Sequence, residues 1–363
     1  MIQYYVLDYN FEQIGVIDSY KSTIWTERFY SSGDFEIYVP NTTYYGDLLR
    51  LPSDGHSLYV LRADDPAKLG IVETIQYTKD LDSGSMILVQ GYTDDYLLHL
   101  RLLLEQVTYS GNIELAVRHM VSNALIHSDS DYYARELTNL SLGPKVGLTD
   151  DINVQYQGQY LDEEVANLAS EYGFGYEIVY DHGNKAFTFN LKKSVDRSTD
   201  QTLREPVIFS AKLDNVSSSE YNKRRGYTAA YAYGEGSGSY KYVGGYAATI
   251  ASNPLERREA HVDANVTSNN GEALDNETLN SLLYQEAKSY VTRSKNSTEE
   301  VVAEVIPDMN YKLNEDYFLG DIVQVIVNVG EDGYRSFKQR VIEIIESYDE
   351  TGYACIPTFE TIS

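Results

Sequence analysis

In the first hundred residues, hydrophobic and polar positions alternate over short stretches that are separated by Gly, Asp, Ser or Pro. A period of two in segments rich in β-branched and aromatic residues is typical of strands that bury one face. The pattern therefore predicts a small β-barrel or sandwich. Its strands are expected at residues 2–7, 14–17, 35–39, 58–61, 70–77 and 85–92.

The spacing of apolar residues changes to steps of three and four after Leu104. Asn112 is a suitable N-cap, because its side-chain oxygen can accept a hydrogen bond from a backbone N–H of the first turn. The apolar positions from Ile113 to Ala124 share one face, and they predict an amphipathic helix after this cap.

A second helix and a hairpin follow. The apolar spacing predicts the helix over residues 161–172, and Gly173 provides a stop. Two β-rich runs, 175–180 and 186–191, flank a polar turn and predict the hairpin. Residues 104–191 are therefore predicted to form a small α+β module.

The last part of the chain returns to β-rich segments after a polar, aperiodic stretch at residues 193–205, which predicts a long loop. The tyrosine-rich run 226–245 carries a Gly/Ser tip. An amphipathic helix is predicted at 279–291, within a helical segment of about 276–293. Strands are expected at residues 207–210, 300–306, 321–327, 337–346 and 353–359.

The order of these elements predicts an α+β fold that is predominantly β. Residues 1–103 are expected to form a first β-barrel that is completed by residues of about 192–215. The α+β module at 104–191 is inserted, and residues 216–363 form a second β-barrel with the C-terminal helix. This order suggests a duplicated architecture, although the sequence contains no visible repeat.

Length, charge and cysteine content limit the classes of protein to which this chain can belong. At about 150 residues per domain, 363 residues correspond to two or three domains. The 29 basic and 55 acidic residues give a net charge of −26, which disfavours broad contact with nucleic-acid phosphates or anionic lipid. A single cysteine excludes an internal disulfide and a Cys-based zinc site. With no signal peptide and no apolar run of about 20 residues, we expect cytoplasmic synthesis and no membrane span.

Tyrosine is frequent, with 34 residues against ten Phe and one Trp. The tyrosine ring packs while its hydroxyl stays hydrated, which suits half-buried strands and interfaces. The tyrosine content therefore indicates either a protein with a large contact surface or strands on which Tyr takes the place of Phe.

The candidate catalytic and ligand-binding motifs are incomplete. The sequence contains no G-x-S-x-G and no pair of histidines at helical spacing, and His119 is interpreted as a helix-surface residue. Adjacent acids such as Asp94 and Asp95 do not by themselves converge across a cleft, as glycosidase carboxylates must. Residues 234–238 are interpreted as a hairpin tip, and residues 129–131 lack the rest of a calcium loop. We therefore expect no cofactor, no metal site and no enzymatic activity.

Three segments carry distinctive motifs. They are IWTERFYSSGDFEIYVP at residues 24–40, VDRSTDQTLREPVIFS at 195–210, and YFLGDIVQVIV at 317–327 with the two strands that follow it. In this order they resemble the signatures of the tail-tip or baseplate hub proteins of long-tailed, siphovirus-type bacteriophages. In the module, only the pattern of helices and hairpin is similar. The matching positions are Trp25, Arg28, Gly33, Asp34, Phe35, Asp196, Arg197, Phe209, Gly320, Asp321, Arg340 and Phe359.

This resemblance implies a virion structural protein at the tail tip. Members of the family are homotrimers in which two similar, tail-tube-like β-barrels per subunit form a ring around the DNA exit channel, at the distal end of the tail tube. The implied partners are further copies of the chain, the distal tail or tail-tube ring, the tape-measure protein, and tail fibre or receptor-binding proteins. Some relatives continue into a hydrolase or fibre domain, which we do not expect after Ser363.

Two other functions are compatible with the residues. One is a cell-wall-degrading hydrolase whose carboxylates converge only in three dimensions, and a convergent acid pair in a deep cleft would favour it. The other is a carbohydrate-binding adhesin of the tail, for which exposed coplanar tyrosines on a monomer would be the sign.

Overall fold

The computed structural model describes residues 2–80, 84–104, 107–127, 135–234, 243–264, 274–296, 299–307, 309–330 and 333–362. Strands predominate over helices in these ranges, so the predominantly β fold class is confirmed. No helix of this part of the chain is both long enough and apolar enough to cross a bilayer.

The N-terminal part contains seven strands and one short helix in its described residues. They are β1 (Tyr4–Leu7), β2 (Gln13–Ile17), β3 (Ser22–Arg28), β4 (Asp34–Pro40), α1 (Thr43–Leu48), β5 (Leu58–Arg62), β6 (Leu69–Asp80) and β7 (Gly84–Thr93). The middle part alternates strands and helices: β8 (Val107–Asn112), α2 (Ile113–Val121), β9 (Leu140–Leu142), β10 (Asp151–Tyr156), α3 (Leu161–Tyr172), β11 (Phe174–Asp181) and β12 (Ala186–Lys193).

The C-terminal part is again rich in strands and includes a long helix. Its elements are β13 (Ile208–Ser210), β14 (Val216–Lys223), β15 (Ala229–Tyr233), β16 (Val243–Ala247), β17 (Glu259–Asp263), α4 (Asn276–Asn296), β18 (Glu299–Val305), β19 (Ile322–Asn328), β20 (Tyr334–Asp349) and β21 (Gly352–Thr361).

Eleven strands from both ends of the chain form one large sheet. Its order is β13-β19-β20-β3-β4-β7-β6-β5-β1-β2, and β21 also pairs with β20. The antiparallel pairing of β3 with β20, in which Trp25 lies opposite Glu346, joins the N-terminal strands to the C-terminal ones. Within the described residues this path is open at β2 and β13 and forms no closed barrel, and the division into two similar barrels stays a prediction.

The smaller sheets belong to the middle and C-terminal parts. In the middle part, β8 pairs with β10, and β11 pairs with β12, which pairs with β9. In the C-terminal part, β14 pairs with β18, and β15 lies between β16 and β17. The apolar face of α4, which includes Leu279, Leu283 and Ala287, packs on Ala230 and Ala232 of β15.

Alternation along the strands fills the core on both faces of the large sheet. In β4, Phe35, Ile37 and Val39 are buried and pack with Trp25. Apolar residues of β1, β5 and β6, such as Leu7, point to the other face and share a core with the middle part. Because burying each such side chain contributes about 1.5–3 kcal/mol, the middle part is held to the sheet by ordinary hydrophobic packing.

The helix predictions hold with small changes at the ends. The Asn112 side chain accepts a hydrogen bond from Leu115 N at 3.3 Å, as an N-cap does, but α2 ends at Val121 and continues as a π-helical turn. The helix α3 has the predicted bounds, and Gly173 ends it with φ +70°. Residues 129–131, for which no calcium loop was predicted, and residues 235–238 of the predicted hairpin tip lie outside the described residues.

Glu114 fixes the loop before β10 from the first turn of α2. Its two carboxylate oxygens accept hydrogen bonds from the backbone N–H groups of Val146, Gly147 and Leu148, at 2.7, 2.7 and 2.9 Å. Burial raises the pKa of this carboxyl, but the three hydrogen bonds outweigh burial and lower it below its ordinary value. The ionised side chain therefore stabilises the fold.

We predict that Glu114→Gln lowers the free energy of unfolding by about 2–3 kcal/mol at neutral pH, because an amide NH₂ then faces a backbone donor. The stability that Glu114 contributes is present above its ordinary pKa of 4.5 and is lost as the pH falls through the lower pKa of the folded state. Denaturant unfolding at several pH values measures both effects. The exposed Glu350→Gln in the β20–β21 turn is the control, and equal losses in the two variants would refute the prediction.

Candidate functional site at the junction of the sequence motifs

The first motif forms the β3–β4 hairpin. Trp25 and Phe35 are buried cross-strand partners whose rings stack with centroids 5.4 Å apart. Gly33 lies in the turn between them, where a Cβ would lie 1.9 Å from the carbonyl oxygen of Thr26. Its N–H donates to the Thr93 hydroxyl at 2.9 Å. The motif residues therefore let two strands meet closely beside the end of β7.

Arg28 ties this hairpin to the C-terminal part. Its guanidinium contacts Asp34 at 2.5 Å and donates through Nε to Glu343 Oε2 of β20 at 2.7 Å. It also donates to the carbonyl oxygen of Ser32 at 3.1 Å. A planar guanidinium with five donors suits this threefold contact better than a lysine ammonium would.

Phe29 is the point at which the hairpin, the middle part and the C-terminal part meet. A Cβ at Gly175 or at Gly320 would lie 2.3 or 2.1 Å from Phe29 Cε2, so both glycines are needed for its ring to fit. The backbone is also bound on both sides, because Phe29 N donates to Ile342 O at 2.8 Å and Tyr176 N donates to Phe29 O at 3.3 Å. Gly320 of the closing motif, at φ +92°, is thus positioned against the first motif.

The middle motif binds the closing motif through a partly buried ion pair. Arg197 donates through Nε to Asp321 Oδ2 at 2.6 Å, and its backbone N–H donates to Ile322 O at 2.7 Å. Burial raises the pKa of Asp321 above its ordinary value, against the lowering effect of Arg197. Asp196 accepts from Ser198 N at 2.8 Å and lies 3.3 Å from Lys338 Nζ of β20.

The remaining motif residues lie on the same part of the sheet. Arg340 donates through Nε to Ser194 Oγ at 2.8 Å and binds the hydroxyl of Tyr30, which donates to Glu360 at 2.7 Å. Phe209 is buried, with its ring centroid 5.5 Å from that of Phe359. The predicted family-motif residues therefore make packing, hydrogen-bond or ion-pair contacts between strands, or between the loops and turns beside those strands.

The sequence analysis missed the buried cation beside this junction. Arg62, only 3% exposed, donates to Glu346 Oε2 at 2.5 Å and to Asp64 Oδ2 at 2.8 Å, and its guanidinium lies over the Trp25 ring at 5.7 Å. Burial raises the pKa of Glu346, but Arg62 and then Lys68 lower it below its ordinary value overall. From the sequence, only Asp64 could have been proposed as a partner of Arg62, because it is close in the chain. Glu346 is 284 residues away from Arg62, so its contact could not be predicted.

Contacts that join strands and their connecting loops account for these charged groups, and none of them is arranged as a nucleophile with its base. Among the described residues, no three His, Cys, Asp or Glu side chains converge as ligands of a metal would. His119, interpreted as a helix-surface residue, is exposed on α2, and its Nδ1 lies 3.3 Å from the Tyr156 hydroxyl. Of the adjacent acids, Asp94 and Asp95 face one cavity of about 160 Å³ between the large sheet and β11.

We predict that Gly320→Ala destabilises the protein by more than about 2 kcal/mol, because a Cβ there both strains the backbone and meets the Phe29 ring. Gly330→Ala is the matched control: its φ of +82° carries the backbone strain, but no atom lies within 4 Å of the added Cβ. This control should lose about 1 kcal/mol. Thermal unfolding measures the difference, and similar losses in the two variants would show that the Phe29 contact is unimportant.

Three solved structures that share this fold are tail proteins, two of them from prophages. The 43 kDa tail protein of prophage MuSo2 from Shewanella oneidensis is 12% identical, with 98% of each chain covered and a TM-score of 0.54. The tail protein from Neisseria meningitidis MC58 is also 12% identical, with 99% of this chain and 96% of that chain covered and a TM-score of 0.55. Prophage tail protein gp18 from Listeria monocytogenes EGD-e is 10% identical, with 100% and 94% covered and a TM-score of 0.51.

The family is identified by a sequence comparison that covers nearly the whole chain. A search of curated proteins finds no match. A family model described as siphovirus ReqiPepy6 Gp37-like protein matches residues 3–359, which include all of the motif residues. The predicted resemblance to a tail-protein family of siphovirus-type bacteriophages is thereby confirmed, and the chain belongs to the family of siphovirus ReqiPepy6 Gp37-like proteins.

Proposed function

We propose that this protein is a structural hub of a phage tail tip or baseplate, where three copies form a ring at the distal end of the tail tube around the DNA exit channel. The observation that carries the proposal is the extent of the likeness. The family match spans residues 3–359, and the fold is shared with three tail proteins over at least 94% of each of them. In this role the protein is made in the host cytoplasm and is then incorporated into the virion tail.

The contacts of the motif residues support a structural role. Arg28, Arg197 and Arg340 each bind carboxylates or hydroxyls of distant parts of the chain, and Phe29 is enclosed by glycines. Such contacts fix the relative positions of the sheet and the middle part. A ring subunit needs this rigidity, because small changes in subunit shape alter the closure of a symmetric assembly.

The proposal includes two similar, tail-tube-like β domains in each subunit. Residues 1–103 with about 192–215 form the first, residues 216–363 with α4 form the second, and residues 104–191 are an inserted module. Three subunits then present six similar domains to a six-fold tube. The β3–β20 pairing supports this arrangement, because it keeps the two domains of a subunit in a fixed relation.

Exposed tyrosines provide the contact surface for the proposed partners. Tyr9, Tyr44, Tyr77, Tyr227 and Tyr353 are each at least 44% exposed, although large aromatic rings are usually buried. Tyrosine is enriched at protein interfaces for the same reason that it suits amphipathic strands. The proposed partners are other copies of the chain, the distal tail or tail-tube ring, the tape-measure protein, and tail fibre or receptor-binding proteins.

A hydrolase is less well supported than the hub. The acid pair that could act in one, Asp94 and Asp95, faces a cavity of about 160 Å³. Sites for small molecules usually have about 300–1,000 Å³, and a cell-wall polymer needs an open cleft.

An adhesin is also less well supported. Tyr92, Tyr96, His99 and Tyr160 form a continuous stack with successive centroids 4.2, 4.9 and 4.4 Å apart. Stacking on sugar rings requires exposed ring faces, whereas the inner faces of this stack are covered by neighbouring rings.

We predict that the purified protein forms a species with three times the 41.1 kDa mass of one chain, measured by light scattering after size exclusion. Because 26 net negative charges on each subunit repel one another, raising the ionic strength should shift a monomer–trimer equilibrium towards the trimer. In the assembled ring, the channel should be lined mainly by Asp, Glu, Ser, Thr and Asn, because Lys or Arg would retain DNA. A chain that is monomeric both alone and in the particle, or a basic channel, would overturn the proposal.

We also predict that the protein releases neither sugar nor peptide from bacterial cell walls, since its charged clusters bind strands to one another. The assay compares it with a known cell-wall hydrolase and with buffer alone, at equal protein mass. Release that is abolished by changing a single Asp or Glu to Ala would establish a hydrolase instead.

A further inference from the structure

The contact between β11 and the large sheet depends on an unusual acceptor. Within the described pairing, β11 has one partner strand, β12, so the N–H groups on its other edge need acceptors elsewhere. Tyr176 N donates to Phe29 O at 3.3 Å, and Tyr180 N is 3.5 Å from Ala67 O. Between them, Ile178 N donates to the carboxyl group of Asp95. A side-chain carboxyl thus replaces a strand carbonyl at the centre of this edge.

The neighbouring acid is buried and unpaired. Asp94 is only 4% exposed, and its Oδ2 has no hydrogen-bond partner among the described protein atoms. It lines the same cavity as Asp95 and the Tyr176 hydroxyl, which also lacks a partner in the described residues. An ionised carboxylate in such a place is costly, so a buried acid of this kind holds a proton or opens to water.

The surrounding charges do not neutralise the pair. The cavity is also lined by Glu27 and Arg28 of β3, Asp65 and Lys68 of the β5–β6 connection, Glu177 of β11 and Lys192 of β12. All three cations are bound to other acids: Arg28 to Asp34 and Glu343, Lys68 to Glu27, and Lys192 to Glu177 at 2.9 Å. Glu27 and Glu177 further disfavour ionisation, whereas Lys192 partly favours it at Asp95.

We propose that Asp94 and Asp95 form a proton-operated latch between the large sheet and the α+β module: the protonated pair keeps β11 seated on the sheet, and ionisation of the pair loosens this contact. The geometry does not support a metal site here, because no three His, Cys, Asp or Glu side chains converge in the described part of the chain. The latch is independent of the proposed hub function.

The direction of the pH effect follows from burial. Desolvation raises the pKa of Asp95 to about 8, and desolvation together with Asp95 raises that of Asp94 well above its ordinary value. The closed junction therefore holds protons that the open junction releases. From the ordinary carboxyl pKa of 3.8 up to about 8, a rising pH favours opening, by up to about tenfold per pH unit for each proton released. Above that range the contribution of Asp95 levels off.

The experiment is hydrogen exchange of the full chain from about pH 5 to about pH 9, with each rate corrected for the intrinsic rate at that pH. The protection of the Ile178 amide should fall with rising pH in the wild type. Asp94→Asn should reduce this slope, and Asp94→Asn with Asp95→Asn should abolish it, because Asn has nearly the same shape and retains an acceptor for Ile178 N. Asp47→Asn, an exposed acid of α1, should keep the wild-type profile.

Three outcomes would overturn the latch. One is a flat wild-type profile at Ile178, which needs no variant and so remains decisive if a variant fails to fold. Another is a slope in Asp94→Asn that equals the wild-type slope. The last is an equal fall of protection at Val89 of β7, because the pH effect would then belong to the whole fold.

Discussion

The pairing of β3 with β20 is the interaction on which the rest of the structure depends. It joins strands separated by more than 300 residues, and it makes one sheet from the two ends of the chain. Glu343 of β20 binds Arg28 of β3 across this pairing, and Glu346 of β20 binds Arg62 of β5 beside it. An ion pair of this kind adds little net stability, but a buried acid without its arginine is strongly destabilising. These pairs therefore mainly determine which strands are paired.

The middle part is seated on this sheet by contacts of three kinds. Leu7 and its neighbours share an apolar core with it, Phe29 is enclosed by Gly175 and Gly320, and the edge of β11 donates to Phe29, Asp95 and Ala67. The apolar core and the Phe29 packing depend little on pH, whereas the contacts at the edge of β11 include titratable carboxyls. A change in pH can therefore act on the edge contact without dissolving the core beneath it.

The periodicity of apolar residues was sufficient to predict those strands and helices that bury one face against an apolar core. The alternation in β4 and β21 and the three-four spacing in α3 follow from one face meeting an apolar core, and Gly173 ends α3 by a local conformational preference. The strand β14 was missed because most of its side chains are exposed, so that it has no alternation to read. The motif residues were found through a resemblance, and their spacing alone assigned them no contacts.

The sequence by itself therefore determined the β-rich class, most of the element boundaries and the family to which the chain belongs. Tertiary structure alone decided that Arg62 meets Glu346, that Phe29 meets Gly320, and that Asp94 and Asp95 share a cavity under β11. The physical reason is the separation in sequence between the residues that interact. Strand and helix periods express burial over a few neighbours, whereas ion pairs and cavities depend on which distant strands are hydrogen-bonded, and that choice is made by the packing of the whole chain.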